Sequence, residues 1–399
     1  MTAAFKPPLS PSTLPTPSSE SQYYSQQLSD LVQQKITESS GWLSFADFMH
    51  MALYTPALGY YSGGLTKFGN RNAGGGDFVT APQISPLFGQ SLARQVGQVV
   101  FESQGDVLEL GAGTGQLAAD LLLALSDLNQ LPKQYYILEV SDHLRQIQIE
   151  TLQEKLPITL FKKIIWLDTL PNDFVGMILG NEVLDAIPVH LLVKKSGDLH
   201  ERGIAFVDGF QWQDKALQDA SLIDALEVDA LPNDYLTEVC PAASGLIKSL
   251  GATLKTGAVL MLDYGFSASE YYHPQRSEGT LMCHYQHYAH SDPLVYIGLQ
   301  DLTAHVNFSA IAQAGLDGGL DFYGYCSQAQ FLLNCGVLDL LAKESPDDIT
   351  RYTPIASAVQ KLLSPSEMGD LFKVISFTKG LDADLALLGF VEGDKSHTL

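Results

Sequence analysis

A glycine-rich loop that follows a short apolar strand is the feature that most constrains this chain. The apolar run at residues 107–110 has strand character, and residues 116–125 have the apolar spacing of a helix. The loop between them has glycine at positions 111, 113 and 115. Glycines in such a turn permit a tight bend and let a ligand approach the backbone closely. The pattern therefore predicts a strand–loop–helix unit with a ligand site at the loop.

Strand and helix patterns continue to alternate beyond this loop. Apolar strand patterns occur at residues 135–140, 163–167 and 176–179, and a helical pattern at 143–155 separates the first two. Strands that alternate with helices indicate a parallel sheet with crossover helices. Beyond residue 188 the pattern changes to short antiparallel ribbons. We therefore predict an α/β fold with a Rossmann-like, mostly parallel sheet, an N-terminal helical segment, and a helical and antiparallel insertion.

The sequence divides into three predicted parts. A tail rich in Pro and Ser, expected to be disordered, covers residues 1–21. N-terminal helices and a glycine-rich loop cover residues 22–102, and the Rossmann-like core covers residues 103–399. Insertions are expected near residues 195–240 and 265–300, where the alternation of strands and helices is interrupted.

The chain is strongly acidic, with 45 Asp and Glu against 23 Lys and Arg and a formal net charge of −22. Such a charge repels phosphate backbones, which argues against a nucleic-acid partner. It would suit a cationic substrate or a basic protein surface. The simpler interpretation is that most of the charge serves solubility.

Several features bear on the compartment. The four cysteines show no Cys-x-x-Cys spacing, which indicates a reducing compartment without a disulfide framework. No run approaches the ~20 apolar residues of a membrane-spanning helix. The first 21 residues lack an apolar signal core and contain no arginine, unlike a transit peptide. We expect a cytoplasmic bacterial protein, or a mitochondrial matrix protein if the source is eukaryotic; the sequence predicts no oligomeric state.

Two cofactor classes use a glycine loop of this kind. Dinucleotide-binding loops have the spacing Gly-x-Gly-x-x-Gly and present a helix N-terminus to pyrophosphate. Here the spacing is Gly-x-Gly-x-Gly, and a carboxylate, Glu109, precedes it. A carboxylate repels pyrophosphate but attracts the amino end of a methionine moiety beside a sulfonium. The loop therefore favours S-adenosylmethionine over NAD, and the predicted contacts are Glu109, Gly111, Ala112, Gly113 and Gly115.

Acidic residues at the ends of the next two strands extend the predicted site. Glu139 ends the second strand, where a carboxylate can accept hydrogen bonds from both ribose hydroxyls. This feature fits NAD as well as S-adenosylmethionine, and a solvated strand end is the alternative for Glu139 alone. Asp168 ends the third strand beside Trp166, where residues can line an adenine pocket. Trp166 is more commonly explained as an ordinary core aromatic.

The fourth strand leads into a segment with two more acids. Ligands of open parallel sheets bind at the carboxyl ends of the strands, so this segment is expected to face the transferred methyl group. Asn181 is a predicted cofactor contact, and Glu182 and Asp185 would share one face of a helical turn. Two carboxylates could hold a guanidinium by bidentate hydrogen bonds and take up the released proton. The alternative is a surface helix with two solvated acids.

No metal site is predicted. His284, His287 and His290 are spaced by three and would form a ligand face on a helix. No separate carboxylate ligand accompanies them, so a substrate loop rich in Tyr and His is the preferred interpretation.

Several segments, in order along the chain, resemble those of the MidA-like methyltransferases, a family that includes a mitochondrial complex I assembly factor that methylates arginine. These segments are residues 76–82, Ser85 with 88–89, 108–115, 181–185 with 188–190, 238–241, 263–265, 301–306, and 368–369 with 372–374. The resemblance extends from about Ile36 to Gly380. It implies a class I methyltransferase fold, S-adenosylmethionine as methyl donor, and a protein arginine as acceptor. For the eukaryotic members of the family, the implied acceptor is a complex I subunit.

The resemblance also bears on three further positions. It places residues 77–85 over the cofactor, with Asp77 and Thr80 as candidate cofactor contacts. Loop capping explains an Asp and a Thr in such a segment equally well. Asn307 stands where the family pattern has Asp, which removes one possible acid from that segment.

Three functional hypotheses follow from the sequence. The leading one is an enzyme that methylates arginine in a protein. A second keeps S-adenosylmethionine but changes the acceptor to another protein side chain or a small molecule. A third is an assembly factor that binds the cofactor but acts mainly by holding a partner. The sequence favours catalysis because both a donor site and an acidic acceptor site are present.

Overall fold

A computed structural model describes residues 14–63, 80–223 and 231–399 of the chain. These residues form two compact units, each built from separate stretches of sequence. The core unit comprises residues 80–184, 244–269 and 306–399; the accessory unit comprises residues 14–63, 185–223, 231–243 and 270–305. The chain leaves the core unit after Leu184 and returns to it twice, at Ser244 and at Val306. The predicted boundaries at residues 21 and 102 stay predictions.

The helices of the described residues are, in chain order, α1 (Ser19–Glu38), α2 (Phe45–Tyr54), α3 (Ala81–Ile84), α4 (Pro86–Ser103), α5 (Gln116–Asp127), α6 (Asp142–Lys155), α7 (Ile158–Phe161), α8 (Pro241–Thr253), α9 (Ala268–Tyr271), α10 (Phe308–Asp317), α11 (Gln328–Asn334), α12 (Val337–Leu341) and α13 (Ile349–Leu363). None of them is both long enough and apolar enough to cross a membrane.

The strands of the same residues are β1 (Leu43–Ser44), β2 (Asp106–Leu110), β3 (Tyr135–Leu138), β4 (Ile164–Leu167), β5 (Phe174–Asn181), β6 (His190–Lys195), β7 (Asp198–Phe206), β8 (Phe210–Ala216), β9 (Leu236–Val239), β10 (Leu254–Phe266), β11 (Met282–Tyr285), β12 (Tyr288–His290), β13 (Asp301–Thr303), β14 (Val306–Asn307), β15 (Asp321–Ser327) and β16 (Phe372–Lys379).

One sheet organises the core unit, with the strand order β15-β16-β10-β5-β2-β3-β4 and with β14 beside the end of β10. The strands from β10 to β4 pair in parallel. Only the far edge is antiparallel, because β16 runs against both β10 and β15. The predicted α/β fold with a mostly parallel sheet is confirmed.

Burial on both faces explains why the central strands are so apolar. Residues 257–265 of β10 are all buried, although successive side chains point to opposite faces of a sheet. Ala258 and Leu260 belong to a hydrophobic cluster that includes Leu92 of α4 and Leu121 of α5. Helix α10 packs against β10 and β16. The carboxyl ends of the strands are therefore left as the place where polar side chains gather.

The accessory unit contains two antiparallel sheets. Strands β1, β7, β6 and β9 form one of them, with β8 added to β7, and strands β12, β11 and β13 form the other. Leu28 of α1 and Phe48 of α2 lie in a hydrophobic cluster with Leu191 and Leu302 from the two sheets. The antiparallel ribbons predicted beyond residue 188 are confirmed.

Candidate active site

The strand order of the core sheet defines where a ligand site is expected. The chain moves outward from β2 to β3 and β4, and then resumes on the other side of β2 with β5 and β10. The order therefore reverses between β2 and β5, and open α/β sheets bind ligands outside the carboxyl ends of the strands at such a point. The glycine loop follows β2, and the segment with Glu182 follows β5.

The glycine loop forms a tight bend at this position. The amide of Gly111 donates to the carbonyl of Leu138 at 3.0 Å, which ties the loop to the end of β3. Gly111 and Gly113 have φ angles of +58° and +53°, a region that L-residues with side chains disfavour. A side chain at Gly111 would contact Val183 at 3.5 Å, so the loop lies beside the segment that follows β5. A Cβ at Gly113 would meet no atom of the described residues within 4 Å, so those residues leave the outer side of the loop open.

Glu109 lies buried in β2 directly before the loop. The hydroxyl of Tyr135 donates to its carboxylate at 2.7 Å. Burial raises the pKa of Glu109 to about 7; the hydrogen bond from Tyr135 acts in the opposite direction, and the charge of Glu139 adds to the rise. Glu109 is therefore an acid that a nearby positive charge would ionise at neutral pH.

Glu139 follows β3 and is held by two donors. The amide of Ser141 donates to Oε1 at 2.9 Å, and the side-chain amide of Gln148 donates to Oε2 at 2.8 Å. Burial raises the pKa of Glu139, while the hydrogen bonds from Ser141 and Gln148 and the charge of Arg145 lower it. Each carboxylate oxygen keeps further acceptor capacity, since an ionised carboxylate offers about four lone-pair sites.

Asp168 follows β4 and forms an ion pair with Arg145 at 2.7 Å. Its side chain is 84% exposed. The same guanidinium donates to the carbonyls of Glu139 and Leu167, so it joins the ends of β3 and β4. The predicted contact of Asp168 with the cofactor stays a prediction.

The segment after β5 is a turn, and the predicted helical turn shared by Glu182 and Asp185 is wrong. Glu182 has a φ angle of +54°, which is uncommon for a residue with a side chain. Its amide donates to the carbonyl of Leu262 at 2.9 Å. The carboxylate of Asp263 accepts from the amides of Val183 at 3.1 Å and Leu184 at 2.8 Å. These bonds to β10 override the local preference for a helical turn.

The carboxylate of Glu182 is partly buried in the core unit. Its Oε1 accepts from the side-chain amide of Asn181 at 3.1 Å and from the amide of Ala81 at 3.4 Å. The side-chain oxygen of Asn181 is buried and accepts no hydrogen bond from the described residues. Asn181 therefore presents a buried acceptor beside the turn.

Asp185 belongs to the accessory unit and is buried. The pKa of Tyr61 is raised well above its usual value by burial, with Asp301, Tyr54 and Asp185 adding to the rise. The hydroxyl of Tyr61 donates to Asp301 at 2.8 Å, and that of Tyr54 donates to the carbonyl of Ala186 at 2.9 Å. Asp185 thus lies near other polar groups of its own unit.

The predicted site residues of the N-terminal loop have different outcomes. Asp77 lies outside the described residues. Thr80 precedes α3, and its amide donates to the side chain of Gln83 at 3.4 Å in a capping box. This arrangement agrees with the capping interpretation of Thr80, while its contact with the cofactor stays a prediction. Asn307, in place of the expected Asp, caps α10 by accepting from the amide of Ala310 at 3.2 Å.

The three regularly spaced histidines do not lie on a helix. His284 is in β11 and His290 in β12, two antiparallel strands, and His287 lies in the turn between them. Within the described part of the chain, no group of three or more His, Cys, Asp or Glu side chains is arranged to hold a metal ion.

Comparison with known proteins identifies the family. A protein-family model described as "putative S-adenosyl-L-methionine-dependent methyltransferase" matches residues 87–326. A protein from Burkholderia thailandensis, whose crystal structure contains bound S-adenosyl-homocysteine, is 47% identical in sequence to this chain. The comparison covers 97% of this chain and 100% of that chain, and the TM-score is 0.93. This chain belongs to that methyltransferase family. It is an S-adenosylmethionine-dependent methyltransferase with the class I fold, as the sequence predicted.

Curated relatives in animals are more distant. The mitochondrial protein arginine methyltransferase NDUFAF7 of Mus musculus is 29% identical over 370 residues, which are 84% of this chain and 80% of that protein. The protein of the same name from Homo sapiens is also 29% identical, with the same coverage of both chains. The family resemblance drawn from the sequence motifs is confirmed.

The described residues fit S-adenosylmethionine at the glycine loop. The open side of Gly113 leaves room for a ligand against the backbone. The side-chain oxygen of Asn181, which accepts no hydrogen bond from the described residues, could accept one from the ammonium group of the methionine moiety, and the carboxylate of Glu109 could attract that group. The carboxylate of Glu139 has acceptor capacity for ribose hydroxyls. Val140, which is 77% exposed beside it, would offer an apolar surface to an adenine base.

Binding of S-adenosylmethionine is expected to weaken as the pH falls below about 7. Below its pKa of about 7, Glu109 is protonated, and a cationic ligand must drive the proton off. The dissociation constant should then rise by up to about tenfold per pH unit. Isothermal titration calorimetry over the range of about pH 5.5 to 8 measures this, and Glu109→Gln serves as the control because it should flatten the profile. An unchanged slope in that variant would contradict the role of Glu109.

The raised pKa of Glu109 affects the stability of the cofactor-free protein in the opposite direction: a lower pH weakens cofactor binding but stabilises the folded state. Because the folded-state pKa of Glu109 lies above its ordinary value of 4.5, the folded state holds this proton more tightly than the unfolded state. The contribution of Glu109 to stability therefore falls as the pH rises from about 4.5 to about 7.

The structure also reveals three site residues that the sequence analysis did not select. Tyr135 donates to Glu109, Gln148 to Glu139, and Asp263 accepts from the turn that carries Glu182. Gln148 lies four residues from Leu144 and from Leu152, on the apolar face of α6. A polar residue in an apolar stripe, like the acid within the apolar run of β10, is the signal that could have selected them.

Proposed function

We propose that this methyltransferase transfers a methyl group to a guanidinium nitrogen of an arginine in a protein. The observation that carries the proposal is the carboxylate of Glu182 at the carboxyl end of β5, beside the glycine loop. The curated relatives named protein arginine methyltransferases support the choice of acceptor. The family resemblance implies a subunit of respiratory complex I as the protein.

Backbone geometry supports a functional role for Glu182. A non-glycine residue in the left-handed region costs about 1–3 kcal/mol, and such residues cluster at active sites. Here three hydrogen bonds to β10, two of them accepted by the fully buried Asp263, hold the turn in place. The backbone that carries the carboxylate is thereby fixed before any acceptor arrives, which supports the preorganisation that catalysis requires.

The proposed chemistry needs a carboxylate to orient a cation and receive a proton. S-adenosylmethionine supplies an electrophilic methyl carbon bound to a sulfonium. The lone pair of a guanidinium nitrogen forms the new C–N bond as the C–S bond breaks, leaving S-adenosylhomocysteine and a methylated guanidinium that has lost one proton. Glu182 accepts hydrogen bonds from the guanidinium and aims its nitrogen. Glu182 takes up the proton.

The net charge of −22 agrees with a positively charged acceptor. An acidic protein attracts basic segments and raises their rate of encounter. The predicted location, the bacterial cytoplasm or the mitochondrial matrix of a eukaryote, remains part of the proposal.

Methyl transfer to an arginine is tested by labelling proteins from cells that lack the gene. The purified enzyme and a donor with a deuterated methyl group are added to that extract, and mass spectrometry locates the label. The expected result is label on arginine in one or a few proteins, lost when that arginine is replaced by Lys. Label on another side chain or on a small molecule would contradict the proposal. Partner binding without any label would indicate an assembly factor instead.

A further inference from the structure

Gln148 of α6 joins the ends of three strands of the core sheet. Its side-chain nitrogen donates to Oε2 of Glu139 after β3 at 2.8 Å and to the carbonyl of Gly113 after β2 at 3.1 Å. Its side-chain oxygen accepts from the indole nitrogen of Trp166 in β4 at 2.9 Å. Gln148 is fully buried, so solvent does not compete for these bonds.

The chemistry of the three partners fixes the orientation of the Gln148 amide. The indole nitrogen of Trp166 is a donor only, whereas the carbonyl of Gly113 and an ionised Glu139 are acceptors only. A rotation of the amide by 180° would place donor against donor and acceptor against acceptor. Trp166 therefore selects the one orientation in which the nitrogen of Gln148 faces the glycine loop and Glu139 at once.

We propose that Gln148 is a positioning residue for the nucleoside end of S-adenosylmethionine. Its hydrogen bonds hold the Glu139 carboxylate at a fixed distance from the glycine loop. Both groups are therefore correctly placed before the cofactor binds. Ser141 holds the other oxygen of Glu139, and the carboxylate can then turn its remaining lone pairs to the ribose hydroxyls. The inference rests on the predicted ribose contact of Glu139.

A purely structural role for Gln148 makes a different prediction. If Gln148 served only to hold α6 in place, its loss would weaken the binding of every ligand of the loop by the same factor. If it positions Glu139, its loss should weaken the recognition of ribose hydroxyls in particular. The ratio of the dissociation constants of 2′-deoxy-S-adenosylhomocysteine and S-adenosylhomocysteine separates these two roles.

The test measures that ratio by calorimetry for the full-length protein and four variants. Gln148→Met keeps the length of the side chain but removes its hydrogen bonds. Gln146→Met is the matched control, because Gln146 is exposed on the same helix and its side-chain amide donates to Glu150 of that helix. Glu139→Gln reports the ribose contact itself. Trp166→Phe keeps Gln148 but removes the donor that orients it.

The wild-type protein should bind S-adenosylhomocysteine more tightly than the 2′-deoxy compound. Gln148→Met should weaken binding of S-adenosylhomocysteine roughly tenfold to hundredfold and bring the ratio close to one. Trp166→Phe should also weaken binding of S-adenosylhomocysteine and lower the ratio, each by a smaller amount than Gln148→Met. Gln146→Met should change neither the binding nor the ratio. Thermal unfolding of each variant verifies that it is folded at the temperature of the titration.

Two results would overturn the proposal. One is a ratio in Gln148→Met equal to that of the wild-type protein, while Glu139→Gln lowers it; the ribose contact then stands and the role of Gln148 fails. The other is an unchanged ratio in Glu139→Gln, which removes the ribose contact on which the role depends. Neither result affects the proposed arginine acceptor, because the readout is ligand binding and not methyl transfer.

Discussion

Replacing Glu182 by Gln is expected to lower kcat by about two to four orders of magnitude, the usual contribution of a residue that transfers a proton. Gln has the same shape, so it should keep contact with the amide of Ala81. It lacks the charge that orients a guanidinium and the capacity to take up the released proton. The dissociation constant of S-adenosylhomocysteine should stay within about twofold, because Glu182 is assigned to the acceptor and not to the cofactor.

The kcat of Glu182→Gln is measured by steady-state kinetics with the acceptor protein that mass spectrometry has identified. The dissociation constant of S-adenosylhomocysteine is measured by calorimetry. The matched control is Glu102→Gln, since Glu102 is an exposed acid of the same unit, at the end of α4. That variant should retain wild-type kcat. A Glu182→Gln enzyme with nearly normal kcat would remove Glu182 from the chemistry, and one that lost cofactor binding would reassign it to the donor site.

Replacing Gly113 by Val should abolish measurable binding of S-adenosylhomocysteine, with a loss of at least about a hundredfold. The new side chain would occupy the open side of the loop, where the cofactor is expected to approach the backbone. Its Cβ would meet no atom of the described residues within 4 Å, so the first atom of the new side chain makes no clash with them. The remaining effect on stability is the strain of a β-branched residue at a φ angle of +53°.

Gly319→Val is the control that separates cofactor exclusion from backbone strain. Gly319 also belongs to the core unit, has a φ angle of +74°, and would place a side chain in open space. Both variants should lower the melting temperature by similar amounts, and only Gly113→Val should lose binding in calorimetry. Equal binding by the two variants would show that the cofactor does not approach this side of the loop.

The sequence predicted the parts of this structure that depend on local pattern. An apolar run followed by glycines and a helical stripe placed the loop at residues 111–115, and the alternation of strands and helices gave the parallel sheet. Each of these signals lies within about 20 residues, and the physical causes, burial periodicity and turn geometry, act over the same range.

The parts that the sequence did not predict depend on contacts between distant residues. Glu182 adopts a left-handed conformation because Leu262 and Asp263, about 80 residues away in the chain, bind the turn. No spacing rule between Glu182 and Asp185 carries that information, so a helical turn was the default expectation. Likewise, the role of Gln148 depends on its hydrogen bonds to Glu139 and Trp166, which lie 9 and 18 residues away in the chain.

Methyl transfer as proposed requires that the carboxyl ends of β2, β3 and β5 form one site for donor and acceptor. A crystal structure of this protein with S-adenosylhomocysteine and an arginine peptide tests this requirement directly. We expect ribose hydroxyls on Glu139, the methionine moiety along residues 111–115, and a guanidinium between the sulfur and Glu182. A nucleoside bound away from residues 111–115, or a sulfur turned away from Glu182, would contradict it.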